Sequence, residues 1–247
     1  MSELRETSQV VQPHRVHRSI YVDPTIFDRE MTAIFAGSWV YLAHESQVPE
    51  PNDFITANLG RRPIIVTRDR DGQLHALLNR CAHRASTVCH QEHGSARHFQ
   101  CAYHGWTYDN AGALTTLPDM AGYPDGFDTA DFGLAHIPRL ATFRGFIFGT
   151  MNADAMPLLD WLGPAAPRIE DFVDRSPSGT IQLRNRQRMF YKGNWKLAWD
   201  NAADGLHPTF AHRSWVLLNE RRYGGAKSLS QFKSSPDHSG MYGEDLG

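Results

Sequence analysis

Between Asp23 and Gly37 apolar residues recur at helical spacing, at Phe27, Met31, Ile34 and Phe35. The segment opens on Asp23-Pro24, a capping acid followed by a proline at the first helical position, so the pattern predicts a helix that Gly37 ends. From Trp39 the period changes. Residues 54–59, 64–67 and 74–78 are runs of strand length, and Asp71-Gly72 marks a tight turn between the last two. A second turn signal at Asn110-Ala-Gly112 and a strand-like run over 143–148 complete an antiparallel β module. Beyond Asn152, residues 157–162 read as a short helix, Pro164 and Pro167 as a connector, residues 181–191 as a strand and residues 194–206 as a helix. The expected fold class is α+β, with an arm and helix over 1–38, the β module over 39–155 and a second domain over 156–247.

Composition narrows the function classes. The 247 residues carry 25 basic and 27 acidic side chains, with no block of one sign, which argues against a nucleic acid or an anionic membrane as partner. No apolar stretch approaches the roughly 20 residues that span a bilayer, and the polar start MSELRETSQVVQ lacks a signal peptide's apolar core, so a cytoplasmic protein is expected. Three cysteines are too few for a disulfide framework. Beside histidine, in a reducing compartment, cysteine points to metal or catalysis.

Cys81-Ala-His83 and Cys101-Ala-Tyr-His104 each supply one thiolate and one imidazole, each after a strand-like segment. Zinc accepts the same ligands, but its common finger pattern separates a Cys pair from a His pair. Alternation within each loop suits a [2Fe–2S] cluster of the Rieske kind, with two Cys on one iron and two His on the other. The flanking residues Cys81-Ala-His-Arg84 and Cys101-Ala-Tyr-His-Gly-Trp106 resemble the C-x-H-R-G and C-P-Y-H-G-W signatures of aromatic-ring-hydroxylating oxygenases. Ala85 stands where that family has Gly, and Ala102 where it has Pro. Both are small, so cluster binding is expected to survive. Cys89 reads as a small buried hydrophobe, Trp106 and Tyr108 as packing that keeps water away, and His90, His93 and His98 as surface or turn residues.

The run from Asn194-Trp-Lys196 to His212 resembles the same family's N-W-K, E-N and D-x-x-H-x-x-x-x-H pattern. His207 and His212 match its mononuclear iron ligands. Asp200 replaces the usual Glu, and Leu206 an aromatic. On a straight helix the two His would lie about 140° apart, so the chain has to break, and Pro208 is the expected cause. Asp204, three residues before His207, would share its helical side and orient its imidazole. By resemblance Asp204 also reaches His104 of a neighbouring subunit, which implies a ring-shaped trimer, and Asn201 lies near the iron.

The resemblance implies the large subunit of a Rieske non-haem iron oxygenase, with a helix-grip catalytic domain after the cluster domain. Electrons would come from NAD(P)H through a reductase, with or without a ferredoxin, and pass from the [2Fe–2S] cluster to Fe(II), O₂ and an aromatic substrate. A small β subunit is compatible with it. The family's third iron ligand is a carboxylate far downstream, and Glu220, Asp237, Glu244 and Asp245 do not resemble its surroundings, so the chain is read as truncated at its C-terminus. Two rivals remain. A Rieske ferredoxin-like electron carrier would need only the β module, and a zinc-dependent binding module would use the same four Cys and His.

Overall fold

Ile64, Ile65 and Val66 are all fully buried, as in a strand covered on both faces. The computed structural model describes residues 7–184, 187–204, 206–223, 231–234 and 239–242, and it places this run inside a sheet. The strands of the β module are β1 (Val40–His44), β2 (Asp53–Leu59), β3 (Arg62–Arg68), β4 (Leu74–Leu78) and β5 (His93–Ser95). They continue with β6 (His98–Gln100), β7 (Thr107–Asp109), β8 (Leu114–Thr116), β9 (Arg139–Phe143) and β10 (Phe146–Thr150). All pair antiparallel, in sheets ordered β4-β3-β2-β5, β8-β7-β6 and β9-β10-β1.

Alternation along β3 divides the interior. Ile65 joins Phe54, Leu77, Phe99, Tyr108 and Leu114 in the core beneath both Cys-His loops. Ile64 and Val66 join Leu42, Ile55, Leu59 and Ile147 on the opposite side. Side chains of this size contribute roughly 1.5–3 kcal/mol each when fully buried, so this strand anchors both cores. Two hairpin turns use one device. Asp69 Oδ1 accepts from the N–H groups of Asp71 and Gln73 at 2.9 and 2.8 Å, and Asp109 Oδ1 from those of Ala111 and Ala113 at 3.0 and 2.8 Å. Gly72 and Gly112 supply the left-handed residue in each turn.

Several sequence expectations change. Residues 143–148 are not one strand: Arg144 and Gly145, with φ of 51° and 87°, turn the chain between β9 and β10. A Cβ on Gly145 would stand 2.5 Å from His44 Nε2, so the close approach also requires glycine. The described part of 181–191 forms no strand. No strand among the described residues pairs with it, and Met189 and Phe190 are exposed. Helix α1 (Ser19–Val22) precedes α2 (Pro24–Ala33), which Asp23 caps by accepting from Thr25 N–H at 2.8 Å, and α2 stops short of Gly37.

The connector is helical too. After α3 (Leu158–Leu162), Pro167 occupies the first turn of α4 (Ala166–Asp174), where a missing N–H costs nothing. Trp39, Phe148, Leu158, Leu162 and Ala166 share a core, and Trp39 Nε1 donates to the Met156 carbonyl at 2.9 Å. These helices therefore belong with the β module. The chain divides into one compact unit of residues 28–187 and another of 1–27 with 188–247, whereas the sequence suggested a boundary near 155. Among the described residues, no helix is long and apolar enough to cross a membrane.

Burial holds the His44 imidazole below its ordinary pKa, against smaller opposing effects of the Arg144 backbone and Glu45. His83 and His136 are lowered in the same direction. A histidine depressed on folding leaves stability complete above its unfolded pKa of about 6.5 and reduces it as pH falls towards the folded value. Thermal unfolding followed from pH 7.5 to 5.5 is expected to show this acid loss, and His44→Gln to show a smaller part of it. An unchanged slope in the variant would remove His44 as a contributor.

Candidate functional site

The two Cys-His loops are closed by the same pair of main-chain hydrogen bonds. In the first, which follows β4, Cys81 N–H donates to the Ser86 carbonyl at 2.8 Å and Ala85 N–H to the Cys81 carbonyl at 2.8 Å. In the second, between β6 and β7, Cys101 N–H donates to the Trp106 carbonyl at 2.8 Å and Gly105 N–H to the Cys101 carbonyl at 2.9 Å. The fifth residue of each is left-handed: φ is 61° at Ala85 and 71° at Gly105. A Cβ at 105 would meet Pro118 Cγ at 2.8 Å, so the second loop needs glycine, whereas the first tolerates alanine with strain. Asn79, itself buried, braces the first loop from behind. Its Oδ1 accepts from Val88 and Cys89 N–H, and its Nδ2 donates to the Cys89 carbonyl at 2.7 Å.

This closure turns both sulfurs inward and both imidazoles outward. Cys81 and Cys101 are buried and free, while the His83 and His104 rings stand 4.5 Å apart. Burial raises the Cys101 thiol, but N–H groups of Tyr103 and His104, with Cys81 and the Ser86 hydroxyl, outweigh it and hold it below the ordinary thiol value. The shift is towards the thiolate, the ligand form. Burial, then His104 and Arg84, lower His83, which favours its neutral, ligating form. His83 Nδ1 is buried and has no hydrogen-bond partner. An orphaned nitrogen of this kind is costly unless something binds it. Among the described residues, no group of three or more His, Cys, Asp or Glu side chains is drawn together closely enough to hold a metal ion. The donor set fits a binuclear cluster, with two sulfurs at one end and two nitrogens at the other.

Trp106 and Tyr108 do more than pack. The Tyr108 hydroxyl, fully buried, accepts from Ala82 N–H at 3.1 Å and lies 3.1 Å from Cys81 Sγ, to which it donates when that sulfur is a thiolate. Burial and that sulfur push its pKa up, so it remains a donor. Trp106 stacks on His83 with centroids 5.0 Å apart and planes 9° apart, and its Nε1–H donates to the Tyr123 hydroxyl at 3.0 Å. Phe127 and Phe132 pack behind it. The sequence assigned Tyr108 a packing role only, and no sequence pattern indicates its contact with the Cys81 sulfur. Cys89 is buried in the same core, and Tyr103 is 60% exposed beside His104.

The second constellation is arranged differently from its expectation. Asn194 caps α5 (Trp195–Ala203) by accepting from Lys196 N–H at 3.1 Å, but the helix stops before Asp204, whose ψ of 110° is extended. Asp204 and His207 therefore do not share a helical side. His207 opens α6 (His207–Ala211), with Pro208 in its first turn, and His212 ends it with φ −111° before α7 (Arg213–Tyr223). The breaks on both sides of α6 bring the two rings to 5.3 Å, whereas Pro208 serves as a start signal. His207 Nδ1 lies 2.9 Å from the Asp204 carbonyl and 3.5 Å from its carboxylate, so the main chain orients this imidazole. Asn201 is exposed. Asp237, Glu244 and Asp245 lie outside the described residues.

Residues 38–141 match the family model of the Rieske [2Fe-2S] domain. The chain is 42% identical over 212 residues to the toluate 1,2-dioxygenase α subunit of Pseudomonas putida, covering 85% of this chain and 47% of that one. It is 40% identical over 211 residues to the 2-halobenzoate 1,2-dioxygenase large subunit of Burkholderia cepacia, covering 84% and 45%. The crystal structure of naphthalene 1,2-dioxygenase from Rhodococcus sp. superposes with a TM-score of 0.77 at 38% identity, over 83% of this chain and 47% of that one. The chain carries a Rieske [2Fe-2S] domain and is similar over about 85% of its length to large subunits of ring-hydroxylating dioxygenases. It spans about half the length of the curated relatives it matches.

Within that family frame Ala85 is a local weak point, because a non-glycine residue at φ 61° strains a loop that closes over a ligand. Ala85→Gly is expected to stabilise the β module by about 0.5–1 kcal/mol, the relief of left-handed strain less the added entropy of the unfolded chain. Thermal unfolding measures it directly. A lower midpoint would show that Ala85 makes contacts worth more than the strain.

Proposed function

We propose that this chain carries the electron-receiving and iron-binding part of an oxygenase that hydroxylates an aromatic ring. Cys81 and Cys101 hold one iron of the [2Fe–2S] cluster and His83 and His104 the other, while His207 and His212 bind a mononuclear Fe(II). The observation that carries the reading is the buried, partnerless His83 Nδ1 beside two buried thiols. In this reading residues 39–155 are the Rieske domain and the chain beyond them begins a catalytic domain. Such a cluster supplies one-electron transfer, and such an Fe(II), with a third carboxylate ligand, supplies O₂ activation at open positions.

The protein's own groups set the conditions. Tyr108 donates to Cys81 and stabilises negative charge on that sulfur. Trp106 fixes the plane of His83 and shields its inner edge from water. The outward edges of His83 and His104 are half-exposed, where an electron donor can approach them. The Asp204 carbonyl holds the Nδ1 proton of His207 and so leaves Nε2 to the metal. The Asp204 carboxylate, exposed, accepts from Leu206 N–H at 2.8 Å and would reach His104 of a neighbouring subunit in a trimer, with or without a β subunit. NAD(P)H, through a reductase and in some systems a ferredoxin, supplies the electrons. Toluate and 2-halobenzoate, named for the relatives at 42% and 40% identity, favour an aromatic carboxylate as substrate. Three free cysteines fit a reducing, cytoplasmic setting.

Two measurements follow. His83→Cys is expected to keep a [2Fe–2S] cluster but lower its potential by roughly 200 mV or more, towards all-cysteine ferredoxins. Tyr108→Phe is expected to lower it by about 60 mV, the one-electron equivalent of a ~1.4 kcal/mol preference of the hydrogen bond for the reduced state. Potentiometric titration followed by EPR reads both, and unchanged potentials would refute the ligand and donor assignments.

The function itself is tested on anaerobically purified protein supplied with Fe(II), a reductase, NADH and a benzoate-type substrate. From this chain alone a brown protein with a Rieske EPR signal and no hydroxylated product is expected; after assembly with the family's downstream segment product is expected, and is lost in Asp204→Ala while cluster reduction persists. A colourless zinc protein would overturn the reading, and reduction without product even after assembly with the family's downstream segment would leave an electron carrier.

A further inference from the structure

Helix α5 leads to the His207–His212 pair, yet it contains no fully buried residue. Tyr21, in α1, grips it at two points. Its hydroxyl donates to Asp200 Oδ2 at 2.7 Å, and its carbonyl accepts from Asn194 Nδ2 at 3.2 Å. Asn194 is the N-cap of α5, and Asp200 lies in its later turns. From Asp200 the connection runs through the main chain. The Asp200 carbonyl accepts from Asp204 N–H at 3.0 Å, and the Asp204 carbonyl faces His207 Nδ1 at 2.9 Å.

We propose that Tyr21 is a positioning residue for the metal site, fixing through Asp200 and Asp204 the direction in which His207 presents Nε2. The proposal rests on the reading of His207 and His212 as metal ligands. A phenol donating to a carboxylate makes a short, charge-assisted bond that resists rotation of the acceptor. Gripping the N-cap fixes where α5 begins, and gripping Asp200 fixes its roll about its own axis. With both set, the Asp204 carbonyl at the helix end has one direction, and the imidazole that bonds to it has one tautomer and one plane. Outer partners of this kind tune metal affinity although they never touch the metal.

The test uses the whole chain with its cluster oxidised and Co(II) alone as the probe, followed by calorimetric titration and by EPR of the bound ion. Wild type is expected to bind Co(II), and His207→Ala with His212→Ala to abolish binding. Tyr21→Phe and Asp200→Ala are each expected to weaken it by about tenfold, to broaden the Co(II) signal, and to leave the Rieske signal of the reduced cluster unchanged. The double variant is expected to be no worse than either single one, because both act through one bond. Val22→Ala, a neighbouring exposed substitution, serves as the control and leaves affinity at the wild-type value. Wild-type affinity and line shape in Tyr21→Phe would overturn the latch and leave the metal reading intact. Additive losses in the double variant would also overturn it. No His-dependent Co(II) binding by wild type would overturn the metal reading and the latch together.

Discussion

Everything at the Cys-His site depends on two loops closing on themselves through main-chain hydrogen bonds. Cys81 and Cys101 each donate to the carbonyl five residues on and accept from the N–H four residues on. A loop closed in this way keeps its cysteine inside while the histidine stands at its rim. It also demands a left-handed residue, met without cost by Gly105 and at some strain by Ala85. The loops need a stiff base. It comes from β3, buried on both faces, and from the core that Ile65 shares with Leu77, Phe99 and Tyr108 directly beneath the sulfurs.

Burial and hydrogen bonding act in opposite directions on the two ligand types, and both outcomes favour metal binding. Loss of water disfavours charge, which suits the imidazole of His83 but works against the thiolate of Cys101. Hydrogen bonds from Tyr103, His104, Cys81 and Ser86 reverse that effect, whereas none is aimed at His83 Nδ1. The inner end of the site is therefore prepared for anionic sulfur and the outer end for neutral nitrogen. Trp106, held by Tyr123, covers the boundary between them.

The His207–His212 pair has a different mechanical basis. It rides on short helices with little buried beneath them, and Trp199, Leu206 and Phe210 are exposed, whereas Trp195 is half-buried. Where packing is thin, directional bonds have to supply the geometry. Here they are the Asn194 cap, the Asp204 carbonyl and the contacts of Tyr21.

The sequence by itself determined the chemistry and most of the strands. Cys-x-His and Cys-x-x-His name their ligands, and the apolar runs 54–59, 64–67 and 74–78 need only alternation and burial to become β2, β3 and β4. Local turn chemistry was readable at Asp71-Gly72 and Asn110-Ala-Gly112, because an aspartate side chain bonds to its own turn. It was missed at Arg144-Gly145, where the turn is imposed by the approach of His44. The described part of 181–191 has strand composition but pairs with no strand among the described residues, and a strand exists only with its neighbour. Only tertiary structure could show Tyr108 on the Cys81 sulfur, the His83–Trp106 stack and Tyr21 on Asp200, since each joins residues that no local pattern relates. Tertiary structure also decided that the Asp204 main-chain carbonyl lies nearer His207 Nδ1 than its carboxylate does, at 2.9 against 3.5 Å. The helix ends one residue before Asp204, and spacing counted along a continuous helix no longer applies.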